Sequence, residues 1–398
     1  MTSHPSSRRL RFRAVPVLLI ALAAFAISSA RGVILLGTGD PEANTTPPTG
    51  ALAGSGWQYQ GLFGAFLGTP IAPQFFITAK HVAFSSSTFF YNGTTYNLVQ
   101  LYNDPFSDLS IWQVAGTFPS TAPLYTGVNE TGQPLVVIGR GTQRGGEVFR
   151  NGELRGWFWG AGDGRVRWGQ NVVTEIVSGG PLNQFVYSTF DNNGFANEAH
   201  LSSGDSGGAV FIQDGGVWKL VGINYAVDGP FFSDASGGGG FDGALFNARE
   251  FYYQDAYNPP HFSVIAGPAP VPTGFYASRI SSKLGWIYSV IDPTGDIDNN
   301  GQTNLFQYAA SLNAPAPQGP GAPTVAREGS NLAITFRRLV RANAPTYTVE
   351  RSTNLVTWQP VTQSPVFLGS ADDVETVKVQ VPISGNKMFL RVRTEQPR

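Results

Sequence analysis

The strongest constraint in this sequence is the shortness of its apolar runs. From Trp57 to about Tyr225 they come as Gly61–Leu67, Gln74–Thr78, Leu135–Ile138, Phe185–Phe190, Ala209–Ile212 and Val217–Ile223. Gly, Pro, Asn or Ser separates one from the next. A globular helix needs a longer amphipathic stretch, whereas short runs bounded by turn residues specify strands. The spacing points to an all-β sandwich or barrel. The turn inventory agrees, with 48 glycines and 28 prolines in 398 residues. That length implies two or three domains. Hydrophobic residues make up 42% and charged residues 13%, so apolar surface for a core is ample.

The two ends of the chain differ from this middle. Arg8, Arg9, Arg11 and Arg13 precede an uncharged apolar run from Val15 to Ile27, and Ser28-Ser29-Ala30 supplies small residues at a cleavage position. This pattern reads as a signal peptide, residues 1–30, and predicts a secreted or extracytoplasmic protein. The run is too short for a stable membrane span. Exported proteins commonly carry disulfides, but this chain has no cysteine. A domain of this size can rely on burial instead, and thiol chemistry and cysteine-ligated metals are excluded. With a formal net charge of −1, nothing implies nucleic acid as a partner.

Asp228 to Thr273 is Gly-rich and aromatic and reads as a long insertion loop. A helix is expected over about Ser278 to Val290, where Ile280, Leu284, Ile287 and Ile291 share one face. Residues 292–323 read as a polar module and a Pro-rich linker. Residues 324–398 alternate again (Leu332, Ile334, Phe336; Tyr347, Val349; Val377, Val379, Val381), as in a small β-sandwich.

Three short blocks carry chemistry. Gly204-Asp205-Ser206-Gly207-Gly208 places a serine between glycines. A serine hydroxyl needs a base to take its proton and donors to hold the oxyanion that develops. Glycines allow a tight turn and a close approach of substrate to the amides of Gly204 and Ser206. On its own the block also suits a plain turn before a strand. Thr78-Ala79-Lys80-His81 sets a histidine, the residue suited to proton transfer near neutrality, at the end of an apolar run. Asp108-Leu109-Ser110-Ile111 sets an acid at a strand edge, where a carboxylate can orient an imidazole. Asp104 is the rival acid, but Pro105 rather than an apolar run follows it.

In this order, the three blocks resemble the signatures of the chymotrypsin/trypsin family of serine proteases. Leu220-Val221-Gly222-Ile223 resembles the strand walling that family's specificity pocket. Gly274-Phe275-Tyr276-Ala277-Ser278-Arg279-Ile280, with Trp286-Ile287, resembles its last strand and closing helix. The resemblance covers about residues 33–291, within an expected protease domain of residues 31–291, and implies two six-stranded antiparallel β-barrels, a cleft between them and a C-terminal helix. It implies His81 as base, Asp108 as its orienter, Ser206 as nucleophile and the Gly204 and Ser206 amides as oxyanion hole. It further implies a specificity pocket at His200, Tyr225 and Gly274, a protein or peptide substrate and no cofactor for catalysis. His200 stands where trypsin-like members carry the Asp that binds Arg or Lys, so that specificity is not expected. Arg31-Gly32-Val33-Ile34 is only a remote match to the family's activation site, which leaves pairing of a new N-terminus with Asp205 unsupported.

Beyond the protease-like region, Asp296-Ile297-Asp298-Asn299-Asn300-Gly301 resembles the calcium loop of EF-hands and dockerins. Asp296, Asp298, Asn300, Gln302 and Gln307 would supply oxygen to Ca²⁺, with a neutral Gln where a bidentate Glu is usual. The other reading is a polar turn. The 324–398 sandwich resembles accessory modules of secreted bacterial enzymes. The reading is a secreted serine endopeptidase; the alternative is an inactive binding or adhesion protein on a protease scaffold.

Overall fold

The computed structural model describes residues 32–180, 183–297, 302–311, 323–340, 344–371 and 373–396. The expected signal peptide, residues 1–30, lies outside them. So do Asp298 and Asn300.

The first lobe is a closed barrel of six strands, β1 (Gly61–Phe63), β2 (Phe66–Ala72), β3 (Phe75–Ala79), β4 (Thr88–Tyr91), β5 (Thr94–Asn103) and β6 (Leu109–Val114). Around the barrel they run β1-β2-β3-β6-β5-β4. Aromatic side chains fill it: Phe76 and Phe89 stack at 3.9 Å, and Phe63 and Phe118 meet them edge-on. Each fully buried Phe contributes about 1.5–3 kcal/mol of burial. Gly61 and Gly68 are required here, because a Cβ on either would fall within 2.2–2.6 Å of a Phe89 or Phe76 ring atom.

The second lobe departs from the expected second six-stranded barrel. It is a seven-stranded sheet of β7 (Pro134–Gly139), β8 (Arg167–Val172), β9 (Glu175–Ser178), β10 (Gln184–Thr189), β11 (Ala209–Asp214), β12 (Val217–Val227) and β13 (Gly274–Arg279). Its order is β8-β7-β11-β12-β13-β10-β9. The two edge strands, β8 and β9, are consecutive in the chain, so the sheet curls back on itself through Val173 and Thr174 and not through a ladder. There the Asn171 amide donates to the carbonyls of Thr189 (2.8 Å) and Ala199 (3.0 Å), taking the place of backbone pairing.

The region 228–273 is not a plain loop. Gly243–Leu245 pairs with the strand Glu153–Gly162, and Tyr252–Tyr257 pairs with Pro260–Val264 as a hairpin. The expected helix also starts later. Ser278 and Arg279 belong to β13, held in ladders with β12 and β10, and α1 spans Leu284–Ile291 after a 3₁₀ turn. Ile280, Leu284 and Ile287 are buried as its periodicity predicts.

The polar module contains a second helix, α2 (Asn304–Ser311), whose Tyr308, Ala309 and Ala310 are buried. Beyond it, two sheets pack as a sandwich, one of four strands (324–328, 331–339, 366–371, 374–382) and one of three (346–352, 359–360, 389–395). Ile334, Phe336, Val349, Val377, Val379 and Val381 form its core. This sandwich is docked through α2. Tyr308, Leu339 and Val374 join the same apolar cluster as Leu284, Trp286 and Ile287, and the Tyr347 hydroxyl donates to Ala309 O (2.9 Å). The Gln396 amide donates to Ser289 Oγ (2.8 Å).

Truncating the chain after Ile291 uncovers the α1 face and should lower the melting temperature of residues 31–291 below that of the full chain. An unchanged melting temperature would mean that the docking contributes nothing.

Candidate active site

The barrel brings His81 and Asp108 together through strand register. Strands β3 and β6 pair Thr78 with Ser110 and Ala79 with Leu109. One step further, the Lys80 amide donates to Asp108 O (3.0 Å). The chain then turns through Lys80–Val82, which aims His81 back at Asp108. The His81 amide donates to Asp108 Oδ1 (3.0 Å), and His81 Nδ1 lies 2.6 Å from Asp108 Oδ2. An ionised carboxylate only accepts, so Nδ1 carries the proton and Nε2 is left as an acceptor. That nitrogen is 2.8 Å from Ser206 Oγ.

Ser206 comes from the other lobe, on the turn before β11. Gly204 and Gly207 have φ of 92° and 76°, which glycine adopts without strain. A Cβ on Gly207 would lie 2.3 Å from Thr78 Oγ1 and 2.5 Å from Leu67 O, so this turn is seated directly on the barrel. Among the described residues, the amides of Gly204 and Ser206 find no backbone acceptor.

Asp205 points inward and is buried. Its Oδ1 accepts from the amides of Gly141 (2.6 Å) and Val33 (3.2 Å), and its Oδ2 from the Ser202 amide (2.8 Å) and hydroxyl (3.1 Å). Burial pushes its carboxyl up to about 6, against these donors, which favour the charged form. Val33 thus does reach Asp205, through its backbone amide. Gly139 and Gly141 leave room for the carboxylate, since a Cβ on either would lie 2.0 or 2.6 Å from its oxygens. The Gly-Arg-Gly after an apolar strand was the available signal for this cradle.

Asp104 faces away from His81. Its Oδ2 pairs with Lys283 Nζ at 2.7 Å, both groups buried, and also accepts from Ser107 Oγ. Its carbonyl accepts from Lys80 Nζ (2.8 Å). It therefore ties the turn before Asp108 to the residue before His81 and to the start of α1. Burial and the Asp104 charge push the phenol of Tyr308, on α2, well up.

The three residues expected at a pocket divide. Tyr225 lies beside His81, ring centres 6.2 Å apart, and stacks on Phe185 at 4.9 Å. His200 is fully buried; Nδ1 is 2.6 Å from Leu201 O, and burial lowers its pKa, keeping the ring neutral. Gly274 is buried in β13, and its amide donates to Asp228 Oδ2 (2.7 Å). Asp228, missed in the sequence, also accepts from the hydroxyls of Tyr187 (2.7 Å) and Tyr276 (2.9 Å). Its signal was an acid at the end of a long apolar strand.

Of the five expected calcium ligands, Asp296, Gln302 and Gln307 are described, and Gln307 is buried in the first turn of α2. Asn304 clamps the loop, accepting from the Ile297 amide (3.0 Å) and donating to Asp292 O (2.9 Å). Among the described residues no group of three or more His, Asp or Glu could hold a metal.

No protein-family model and no curated protein matches the chain. Among solved structures it is similar to neuropsin, a serine protease expressed in the limbic system of mouse brain. Identity there is 13%, over 60% of this chain and 96% of that one, with a TM-score of 0.37. It is also similar to Rv3671c from M. tuberculosis H37Rv, in an inactive mutant form, at 16% identity. That match covers 64% of this chain and 96% of the other, with a TM-score of 0.35.

A second buried acid, Glu198, accepts from the amides of Asp191 and Phe195, yet burial pushes it up to about 7. The folded state then holds this proton more tightly than the unfolded chain does. The resulting stability is full below the ordinary glutamate range and is lost as pH rises through about 7. Melting temperature should therefore fall between pH 5 and pH 8, and Glu198→Gln should flatten that fall. Equal slopes in the two proteins would exclude Glu198 as a source.

Proposed function

We propose that this chain is an exported serine endopeptidase that cleaves peptide bonds through Ser206, His81 and Asp108. The observation that carries the reading is the continuous hydrogen-bonded series Asp108–His81–Ser206, with links of 2.6 and 2.8 Å, built from two separate lobes. Ser206 Oγ attacks the peptide carbonyl while its proton passes to His81 Nε2. Asp108 holds the Nδ1 proton in place and stabilises the imidazolium. The carbonyl oxygen, now negative, takes hydrogen bonds from the Gly204 and Ser206 amides. His81 then gives the proton to the leaving amine, the acyl group stays on Ser206, and water activated by His81 releases it. None of these steps uses a metal or cofactor.

Export rests on the basic and apolar segment of residues 1–30. Among the described residues no helix is long and apolar enough to cross a membrane.

A fluorophosphonate probe should label Ser206 in the folded protein, and Ser206→Ala or His81→Ala should abolish both labelling and peptide hydrolysis. Asp108→Asn should lower kcat on the order of 10⁴-fold through the wrong imidazole tautomer. Asp104→Asn should act on stability, costing about 3–5 kcal/mol by breaking the buried Asp104–Lys283 pair. Folded protein that neither labels nor hydrolyses any peptide would overturn the reading and leave the sandwich as the working part.

For the loop 296–307 we propose weak calcium binding, carried by its alternating oxygen side chains, on the order of 10⁻⁴–10⁻³ M. Calcium should slow limited proteolysis within residues 292–323 relative to chelator, and Asp298→Ala should remove the difference. Identical digestion in both conditions would leave the loop a polar turn.

A further inference from the structure

Asn224 is a polar residue directly after the buried run Leu220-Val221-Gly222-Ile223, and it is 1% exposed. A buried side-chain amide costs stability unless its groups are bonded, so its partners reveal its use. Its Nδ2 donates to Ile138 O (2.9 Å) and to Asp205 O (3.0 Å). Its backbone bonds the same turn twice more, with the Gly207 amide donating to Asn224 O (3.2 Å) and the Asn224 amide donating to Gly208 O (2.8 Å). Its Oδ1 has no partner among the described residues. Gly208 exists in part to admit this amide, because a Cβ there would lie 2.2 Å from Ile138 O and 2.7 Å from Asn224 Nδ2.

The carbonyl that Asn224 holds belongs to the Asp205–Ser206 peptide. In a trans peptide the C=O and the following N–H point in opposite directions. Fixing Asp205 O inward, with Asn224 Nδ2 and the Gly208 amide (3.1 Å) both on it, turns the Ser206 N–H outward. That amide has no backbone acceptor among the described residues. We propose that Asn224 is a positioning residue that sets the Ser206 amide as an oxyanion donor by holding the Asp205 carbonyl from behind. This inference rests on the endopeptidase reading. It adds a residue that touches neither substrate nor the reacting atoms and lies on β12, apart from the turn that carries the nucleophile.

The experiment uses the mature chain, a peptide substrate, and a peptidyl boronic acid, whose tetrahedral adduct places an oxygen at the oxyanion position. Wild type is assayed first; failure to hydrolyse peptide or to label with fluorophosphonate defeats the underlying reading and not this one. In an active wild type, Asn224→Leu removes both donors at similar volume. It should lower kcat about 10²-fold, the size of losing one oxyanion donor, with KM within about twofold and boronate affinity falling in parallel with kcat. Asn224→Asp supplies a second, independent reading: it donates only when protonated, so its kcat relative to wild type should recover as pH falls from 8 towards 5. Folding of both variants is checked by thermal melting; if Asn224→Leu does not fold, the pH-dependent recovery of Asn224→Asp carries the test. Unchanged kcat and boronate affinity in folded Asn224→Leu, or a pH-independent ratio for Asn224→Asp, would overturn the proposal.

Discussion

The Asp205 carboxylate, shut away from water, is the constraint on which the site depends. A buried charge is tolerable only if donors surround it, and these donors come from two distant stretches of chain, Val33 and the Gly139–Gly141 turn, and from nearby Ser202. Satisfying one side chain therefore fixes where the N-terminal segment lies, how β7 ends and how the chain enters the Ser206 turn. The glycines at 139 and 141 follow from the same requirement, since any Cβ would occupy the space of the carboxylate. Asn224 grips the same residue from its carbonyl side. The backbone at Asp205 and Ser206 is thus held at both ends of one residue, which leaves little freedom in where the Ser206 amide and hydroxyl point.

The site is a property of the junction between lobes. The barrel supplies His81 and Asp108 at the ends of two paired strands, where register alone aligns them. The sheet supplies Ser206, and the absent side chain of Gly207 lets its turn rest against Thr78 and Leu67. Two acids four residues apart take different work because their surroundings differ. Asp108 sits at the surface end of β6 facing an imidazole, and Asp104 is buried against Lys283. The second pair reaches from the acid-bearing turn to the start of α1, and α1 packs on α2 and the sandwich. The sandwich is therefore mechanically continuous with the turn that carries Asp108.

The parts of this arrangement that were legible in the sequence are those written in local patterns. Short apolar runs marked strands in both lobes and the sandwich, and three short blocks marked His81, Asp108 and Ser206. What was illegible depends on partners far away in sequence. Closure of the second sheet through Val173 and Thr174 has no local mark, because it follows from β8 and β9 being neighbours in the chain and at opposite sheet edges. The start of α1 was misplaced because the periodic face begins only at Ile280, and Ser278 and Arg279 before it are claimed by the ladders of β13. Helix α2 was hidden under a loop reading, since its burial depends on a face supplied by α1 and the sandwich. Asn224 was visible as a polar residue at the end of an apolar run, but its two carbonyl partners lie in β7 and in the turn before β11.

The absence of cysteine gives these long-range polar ties their weight. Glu130 is fully buried and takes two bonds of 2.7 Å from Arg279 and one of 2.6 Å from Ser281, fastening the segment between the lobes to the last strand. Asp104 with Lys283 does the same for the barrel and α1. A disulfide joining such segments would act mainly by restricting the unfolded chain. A buried ion pair does not, because it is absent from the unfolded state and its Coulomb gain is largely spent on desolvation. What it supplies is selectivity: any packing that fails to bring Glu130 to Arg279, or Asp104 to Lys283, strands a charge in the core. In this chain apolar burial supplies the bulk of the stability, and buried charges reject the alternative arrangements of the lobes. The geometry at Ser206 is then the arrangement in which each of these charges finds its partner.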